Sequence, residues 1–153
     1  MLQFENLKLK NQLCFALYAA TNAITRAYRS RLSHIGLSYP QYLVMMVLWE
    51  ADGITVKTIA EHLHLDSPTI TPLLKRLESC GFVSRQRNVK DERVVNVFLT
   101  DTGRGIQARV ADMQKGVACQ TGMQETQFIE LRSTLHELVD SINQNQPDME
   151  DAA

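Results

Sequence analysis

Three thiols, Cys14, Cys80 and Cys119, are the side chains of this sequence most open to covalent chemistry. They form no C-x-x-C pair and do not read as a disulfide framework, so a special cysteine here must act chemically. Cys14 falls in the first turn of a long predicted helix that Asn11 is placed to cap. There the positive end of the helix dipole favours thiolate, the form that attacks a peroxide. Attack on the O–O bond yields a sulfenic acid, which a second thiol can convert to a reversible disulfide. With Leu13 and Phe15 beside it, Cys14 reads on the residues alone first as a small buried hydrophobe, with the reactive thiol as the alternative. Cys80 stands just before Gly81 with no activating neighbour in sequence and reads as packing. Cys119 lies between Gly116 and Gly122, near the end of a later helix.

The elements that must position these thiols follow from periodicity and punctuation. Leu13, Leu17, Ala20, Ile24, Ala27 or Tyr28, and Leu32 recur at helical spacings of three and four, predicting a helix from about Gln12 to His34 that Gly36 stops. Ser38-Tyr39-Pro40 opens a second helix to about Ala51, apolar all round and therefore buried. Asp52-Gly53 makes a turn, and Thr55 caps a short third helix through Leu63. Asp66-Ser67-Pro68 places a capping side chain ahead of proline and starts a fourth helix that Gly81 ends. Pro72 removes one backbone donor from its early turns, at less than the ~3 kcal/mol of a mid-helix proline. Phe82 to Arg87 and Val94 to Leu99 are β-branched, aromatic and alternating around the polar residues Asn88 to Arg93, which predicts a hairpin. A fifth helix carries Ile106, Val110, Met113 and Val117 in line. The last helix sets Phe128, Leu131, Leu135, Leu138 and Ile142 on one seam, the pattern of a helix that lies along another and serves dimerisation.

Two short helices followed by a basic hairpin predict a winged helix-turn-helix, a mainly α fold with a small β wing. Ile70, Leu73, Leu74 and Leu77 form the inner face of the fourth helix. Ser67, Thr69, Thr71, Lys75 and Arg76 remain on its outer side. Short hydroxyls and N–H groups at a helix start meet phosphates or base edges. From Lys75 to Arg93 run Lys75, Arg76, Arg85, Arg87, Lys90 and Arg93 against Glu78, Asp91 and Glu92. The loop can carry Arg93 into a narrow minor groove, with Asp91 holding its guanidinium. An isolated charge run would be a solvated surface; its coincidence with a small, polar helix face points to double-stranded DNA.

At 153 residues, with 44% hydrophobic and 22% charged residues and a formal charge of -1, the chain has the composition of one globular domain. Residues 38–99 are expected to form its DNA-binding part, 1–37 and 100–145 the dimerisation helices, and 146–153 a flexible acidic tail. No apolar run approaches a membrane span and no signal segment opens the chain, so a cytoplasmic location is expected. A thiol peroxidase would share the reactive cysteine but turn over with a reducing partner. A metal sensor could draw on His62 and His64 with Cys80 or His136, although histidines spaced H-x-H on a helix point to different sides. The expectation is a regulator that is not an enzyme and holds no cofactor or metal.

The wing sequence Asp91-Glu92-Arg93 and the joint Leu99-Thr100-Asp101-Thr102-Gly103 resemble those of MarR-type regulators. Leu13-Cys14-Phe15-Ala16-Leu17-Tyr18 and Tyr39-Pro40-Gln41-Tyr42-Leu43-Val44-Met45 resemble, more specifically, the organic hydroperoxide resistance regulators (OhrR) of that family, and the likeness spans most of the chain. The resemblance implies a homodimeric repressor on a pseudo-palindromic operator, with interlocking first, fifth and sixth helices and an organic hydroperoxide as inducer. It further implies Cys14 as the sensing thiol, Cys119 as the resolving thiol of a two-cysteine member bonded between subunits, and Tyr28 and Tyr39 as hydrogen-bond partners of the reactive sulfur. Fourteen residues separate Cys14 from Tyr28, about 21 Å along one helix, so a contact between them must cross the dimer. A MarR-type repressor answering a quinone or phenolic ligand, or another oxidant such as hypochlorite, would share every one of these motifs.

Overall fold

The computed structural model describes residues 4–145, so the expected acidic tail at 146–153 lies outside the described residues. The chain divides into two units, Met1–Val117 and Ala118–Ala153.

In the first unit, two short 3-10 turns, Glu5–Leu7 and Leu9–Asn11, lead into α1 (Leu13–Ser33). Asn11 is not its cap: the Asn11 amide donates to the Glu5 carbonyl at 2.9 Å, and Gln12 takes the cap position without a side-chain bond. Cys14 nevertheless stays in the first turn. Gly36, at φ +83°, closes the helix as Leu37 N–H reaches back to the Leu32 carbonyl at 3.1 Å. Ser38 and Gln41 then form a reciprocal capping box at the start of α2 (Tyr39–Glu50), which buries Tyr42, Val44, Met45, Val47 and Leu48 as its composition requires. Thr55 accepts from Thr58 N–H to start α3 (Val56–His62). Asp66 accepts from Thr69 N–H at 2.8 Å to start α4 (Ser67–Ser79), whose Ile70, Leu74 and Leu77 are fully buried. The helix runs on through Pro72.

Gly81 turns the chain at φ +76° into β1 (Val83–Arg87), paired antiparallel with β2 (Val95–Leu99) in a register from Val83↔Leu99 to Arg87↔Val95. The other edge of β2 is tied to the α2–α3 turn through Val97 N–H to the Ile54 carbonyl and the Asn96 amide to the Gly53 carbonyl. This is a winged helix-turn-helix, with α3 and α4 as the helix pair and the hairpin as the wing.

The expected fifth helix is broken at Ile106 into α5 (Asp101–Gly105) and α6 (Gln107–Gln120). Where β2 leads into α5 the joint is densely bonded. Asp52 accepts from Gly53 N–H and Leu99 N–H through one oxygen and from Arg104 through the other at 2.5 Å. Trp49 Nε1 donates to the Gly103 carbonyl at 3.0 Å, and Thr100 Oγ1 donates to the Gly81 carbonyl at 2.6 Å. A Cβ on Gly103 would collide with the Phe82 carbonyl oxygen, which is why glycine stands there.

In the second unit, α7 (Glu125–Gln144) buries no residue. Phe128, Leu131 and Ile142 of the predicted seam are exposed, and Leu135 and Leu138 are half-buried.

Candidate nucleic-acid interface and thiol site

Asp66 fixes the first turn of α4, and with it the residues expected to meet DNA. Thr69, Lys75 and Arg76 are exposed, whereas Ser67 and Thr71 are half-buried. Thr71 is turned inward more than its position suggested, because its hydroxyl donates to the Ser67 carbonyl at 2.9 Å. On the wing, Arg87, Lys90, Asp91 and Arg93 are exposed. Asp91 does not hold the Arg93 guanidinium. Its carboxylate accepts from Arg93 main-chain N–H at 3.0 Å, as Asn88 does from Lys90 N–H at 2.8 Å, so both acceptors shape the loop backbone.

Arg85, one charge of the basic stretch, is bonded to Glu78. Lys57, which no motif singled out, stands beside the residues expected to meet DNA. With Arg93, Ser67 and Thr71 it lines a groove of about 500 Å³ whose floor is Val56, Val94 and Val95. The groove assembles three elements remote in sequence, and only the fold could reveal it.

Cys14 is the second residue of α1 and is exposed, among exposed Leu13, Phe15 and Tyr18. Cys80 is exposed too, at the end of α4, and so is not the packing residue its context suggested. Cys119 is exposed in the last turn of α6. Tyr28 and Tyr39 do come together, ring centroids 5.3 Å apart, and a third ring completes the cluster: Tyr42, 5.3 Å from Tyr28 and 5.9 Å from Tyr39. Tyr42 lies within a motif quoted for its resemblance, but its apolar neighbours mark it as core. Burial first, and the neighbouring Tyr28 second, push the Tyr39 and Tyr42 phenols above their ordinary value, so both remain hydrogen-bond donors at neutral pH. Because α1 is unbroken from Leu13 to Ser33, Cys14 and Tyr28 of one protomer stay about 21 Å apart. Among the described residues no three His, Cys, Asp or Glu side chains gather as a metal site.

With this geometry in place, comparison with known proteins is direct. Residues 26–110 match the family described as transcriptional regulator SarA/Rot. The organic hydroperoxide resistance transcriptional regulator of Bacillus subtilis is 37% identical over 93% of this chain and 97% of its own length. The chain belongs to the MarR-type transcriptional regulators. This MarR-type regulator is also 56% identical, over 75% of its length, to the HTH-type transcriptional regulator TtmR of Methylorubrum extorquens, of which it spans 59%. Among solved structures, reduced AbfR bound to DNA superposes with a TM-score of 0.79 at 34% identity, covering 94% of this chain and 98% of that one. A disulfide form of AbfR, the Staphylococcus epidermidis protein, gives 0.64 at 35% identity, over 92% and 93%. The proteins it matches over most of its length are transcriptional regulators, one of them, reduced AbfR, solved on DNA.

Proposed function

We propose that this MarR-type regulator is a cytoplasmic, homodimeric repressor that senses organic hydroperoxides through Cys14 and releases its operator on oxidation. The observation that carries the reading is an exposed thiol in the first turn of α1, in a chain 37% identical to an organic hydroperoxide resistance regulator. The Cys14 thiolate attacks the hydroperoxide; the O–O bond breaks, the distal oxygen stays on sulfur as sulfenic acid, and the alcohol departs after taking up a proton. The Cys119 thiol of the other subunit then displaces water from the sulfenic acid and closes a disulfide, the two-cysteine variant of the mechanism. Tyr28 and Tyr39 serve the Cys14 of the opposite subunit, since their own lies too far along α1.

Residues 1–37 and 100–145 form the dimerisation region, and residues 38–99 of the two protomers straddle a pseudo-palindromic operator about one helical turn apart. Ser67, Thr69, Thr71, Lys75 and Arg76 of α4 face the major groove, while Arg87, Lys90 and Arg93 of the wing reach the backbone and minor groove. Strain at the subunit boundary on oxidation then alters the spacing of the two reading helices.

The test is an operator gel shift after treatment with cumene hydroperoxide, hydrogen peroxide or hypochlorite, with mass spectrometry of Cys14 and Cys119. Release by the organic hydroperoxide with Cys14 modified is the expected result; full occupancy with oxidised Cys14 refutes it. On non-reducing gels, Cys119→Ser is expected to remove the oxidised dimer band and Cys80→Ser to leave it.

A further inference from the structure

One carboxylate in the reading head makes three bonds to a single residue of the wing. Glu78, in the last turn of α4, accepts from Arg85 main-chain N–H through Oε1 at 3.0 Å. Through Oε2 it accepts from Arg85 Nε at 2.9 Å and from an Arg85 terminal nitrogen at 2.6 Å. Both side chains are only partly exposed. A guanidinium held through two nitrogens has a fixed direction, unlike a surface lysine hunting for a phosphate. The main-chain bond adds a second constraint. β1 is the outer strand of a two-stranded sheet, and Glu78 occupies one of its unpaired edge N–H groups. The carboxylate therefore grips the strand as well as the side chain.

The grip lies next to Gly81, the point from which α4 and the hairpin diverge. From Glu78 back to Ser67 is about 16 Å of helix, and from Arg85 out to Lys90 about 17 Å of strand and loop. A change of about 10° at such a vertex moves the far end of either arm by about 3 Å, close to the ~3.4 Å rise per nucleotide of a strand.

We propose that Glu78 and Arg85 form a clip that sets the angle between the reading helix and the wing, with both acting as positioning residues and Arg85 making no phosphate contact. The proposal rests on the DNA-binding reading. Two opposite signs separate it from the reading of Arg85 as one more surface cation. If Arg85 served DNA directly, removing the neighbouring carboxylate would free its charge and tighten binding, and removing Arg85 would lower the salt slope of binding by about 0.9. A clip predicts weaker binding when the carboxylate is removed and an unchanged salt slope when Arg85 is removed.

The probe is a duplex enriched by the wild-type reduced protein from a randomised pool. Affinity is measured over a salt series for wild type, Glu78→Gln, Arg85→Gln and the exchanged pair Glu78→Arg with Arg85→Glu, and hydroxyl-radical footprints are taken at saturating protein. Glu78→Gln and Arg85→Gln are each expected to weaken binding about ten-fold with the wild-type salt slope, and to lose wing protection in the minor groove while α4 protection remains. The exchanged pair is expected to recover at least part of the affinity. Tighter binding by Glu78→Gln, or a reduced slope for Arg85→Gln with an intact footprint, overturns the clip and leaves DNA binding standing. Failure of the wild-type protein to enrich any duplex removes the DNA-binding reading and the clip together. Circular dichroism of each variant identifies any that do not fold, and Arg85→Lys, which keeps charge but not the fork, then stands in for Arg85→Gln with the same expected footprint.

Discussion

Ile70, Leu74 and Leu77 of α4 are buried within a single protomer, while Leu13, Phe15 and Tyr18 at the start of α1 and Phe128, Leu131 and Ile142 along α7 stand in solvent. The reading head closes on itself: α2, α3, α4 and the hairpin bury one another, and the described residues leave no buried side-chain nitrogen or oxygen without a partner. In α1 only Tyr28 and Leu32, near its end, are buried, and α7 buries nothing. Exposed apolar rows of this kind mark surfaces that association covers. On the proposed function, the difference teaches that the DNA-reading part is complete in one chain and the sensing part is half a site: Cys14 sits on the uncovered portion of α1 and the tyrosine cluster on the covered portion.

The largest effect bearing on this contrast is expected from Cys14→Ser, which should bind the operator normally and lose all release by cumene hydroperoxide in a gel shift. Normal release would detach the uncovered region from sensing altogether. Next come paired substitutions, one in each region. Leu74→Ala should cost about 2–5 kcal/mol of stability in denaturant unfolding monitored at fixed protein concentration. Leu131→Asp should instead weaken self-association at least about a hundred-fold in sedimentation equilibrium, since a two-fold interface carries the substitution twice, at about 1.5–3 kcal/mol for each leucine. If Leu131→Asp leaves association untouched, α7 is no interface and the contrast fails.

A smaller change is expected from Arg93→Ala, which should weaken operator binding and reduce the salt slope by about 0.9, the change that follows when one phosphate is no longer neutralised. Smallest is a pH effect confined to the reading head. Bonds from Thr69 hold Asp66, and bonds from Arg85 hold Glu78, below their ordinary carboxylate values. For groups with lowered folded values the stabilisation is complete above the ordinary carboxylate range and disappears as pH falls through the lowered one. Stability should therefore be level above about pH 5 and decline below about pH 4. Glu78→Gln should make that decline shallower in a pH series of thermal unfolding.

What could be read from the residues alone divides along local and non-local lines. The start of α4 was legible because Asp66 and Pro68 act within one turn of it, and the burial of α2 was legible because nothing polar interrupts its middle. The hairpin was legible from alternation. Asn11 misled because its side chain had a competing acceptor, the Glu5 carbonyl, set by turns that composition does not announce. Arg85 was legible only as one charge of the basic stretch, because its partner lies seven residues back, around the positive-φ turn at Gly81. Asp91 was given the right neighbour and the wrong atom, main-chain nitrogen in place of guanidinium. Lys57 and Tyr42 carry no local signal, because their companions come from other elements.

The carboxylate of Asp52 spans the end of β2 and the first turns of α5, while Trp49 and Thr100 fasten the same corner from two further sides. Such a corner has no slack. On the proposed function, displacing the root of α5 would swing α4 and the wing with it, like a key turned by its bow, and a fraction of an ångström near the pivot would grow in proportion to the distance at which DNA is touched.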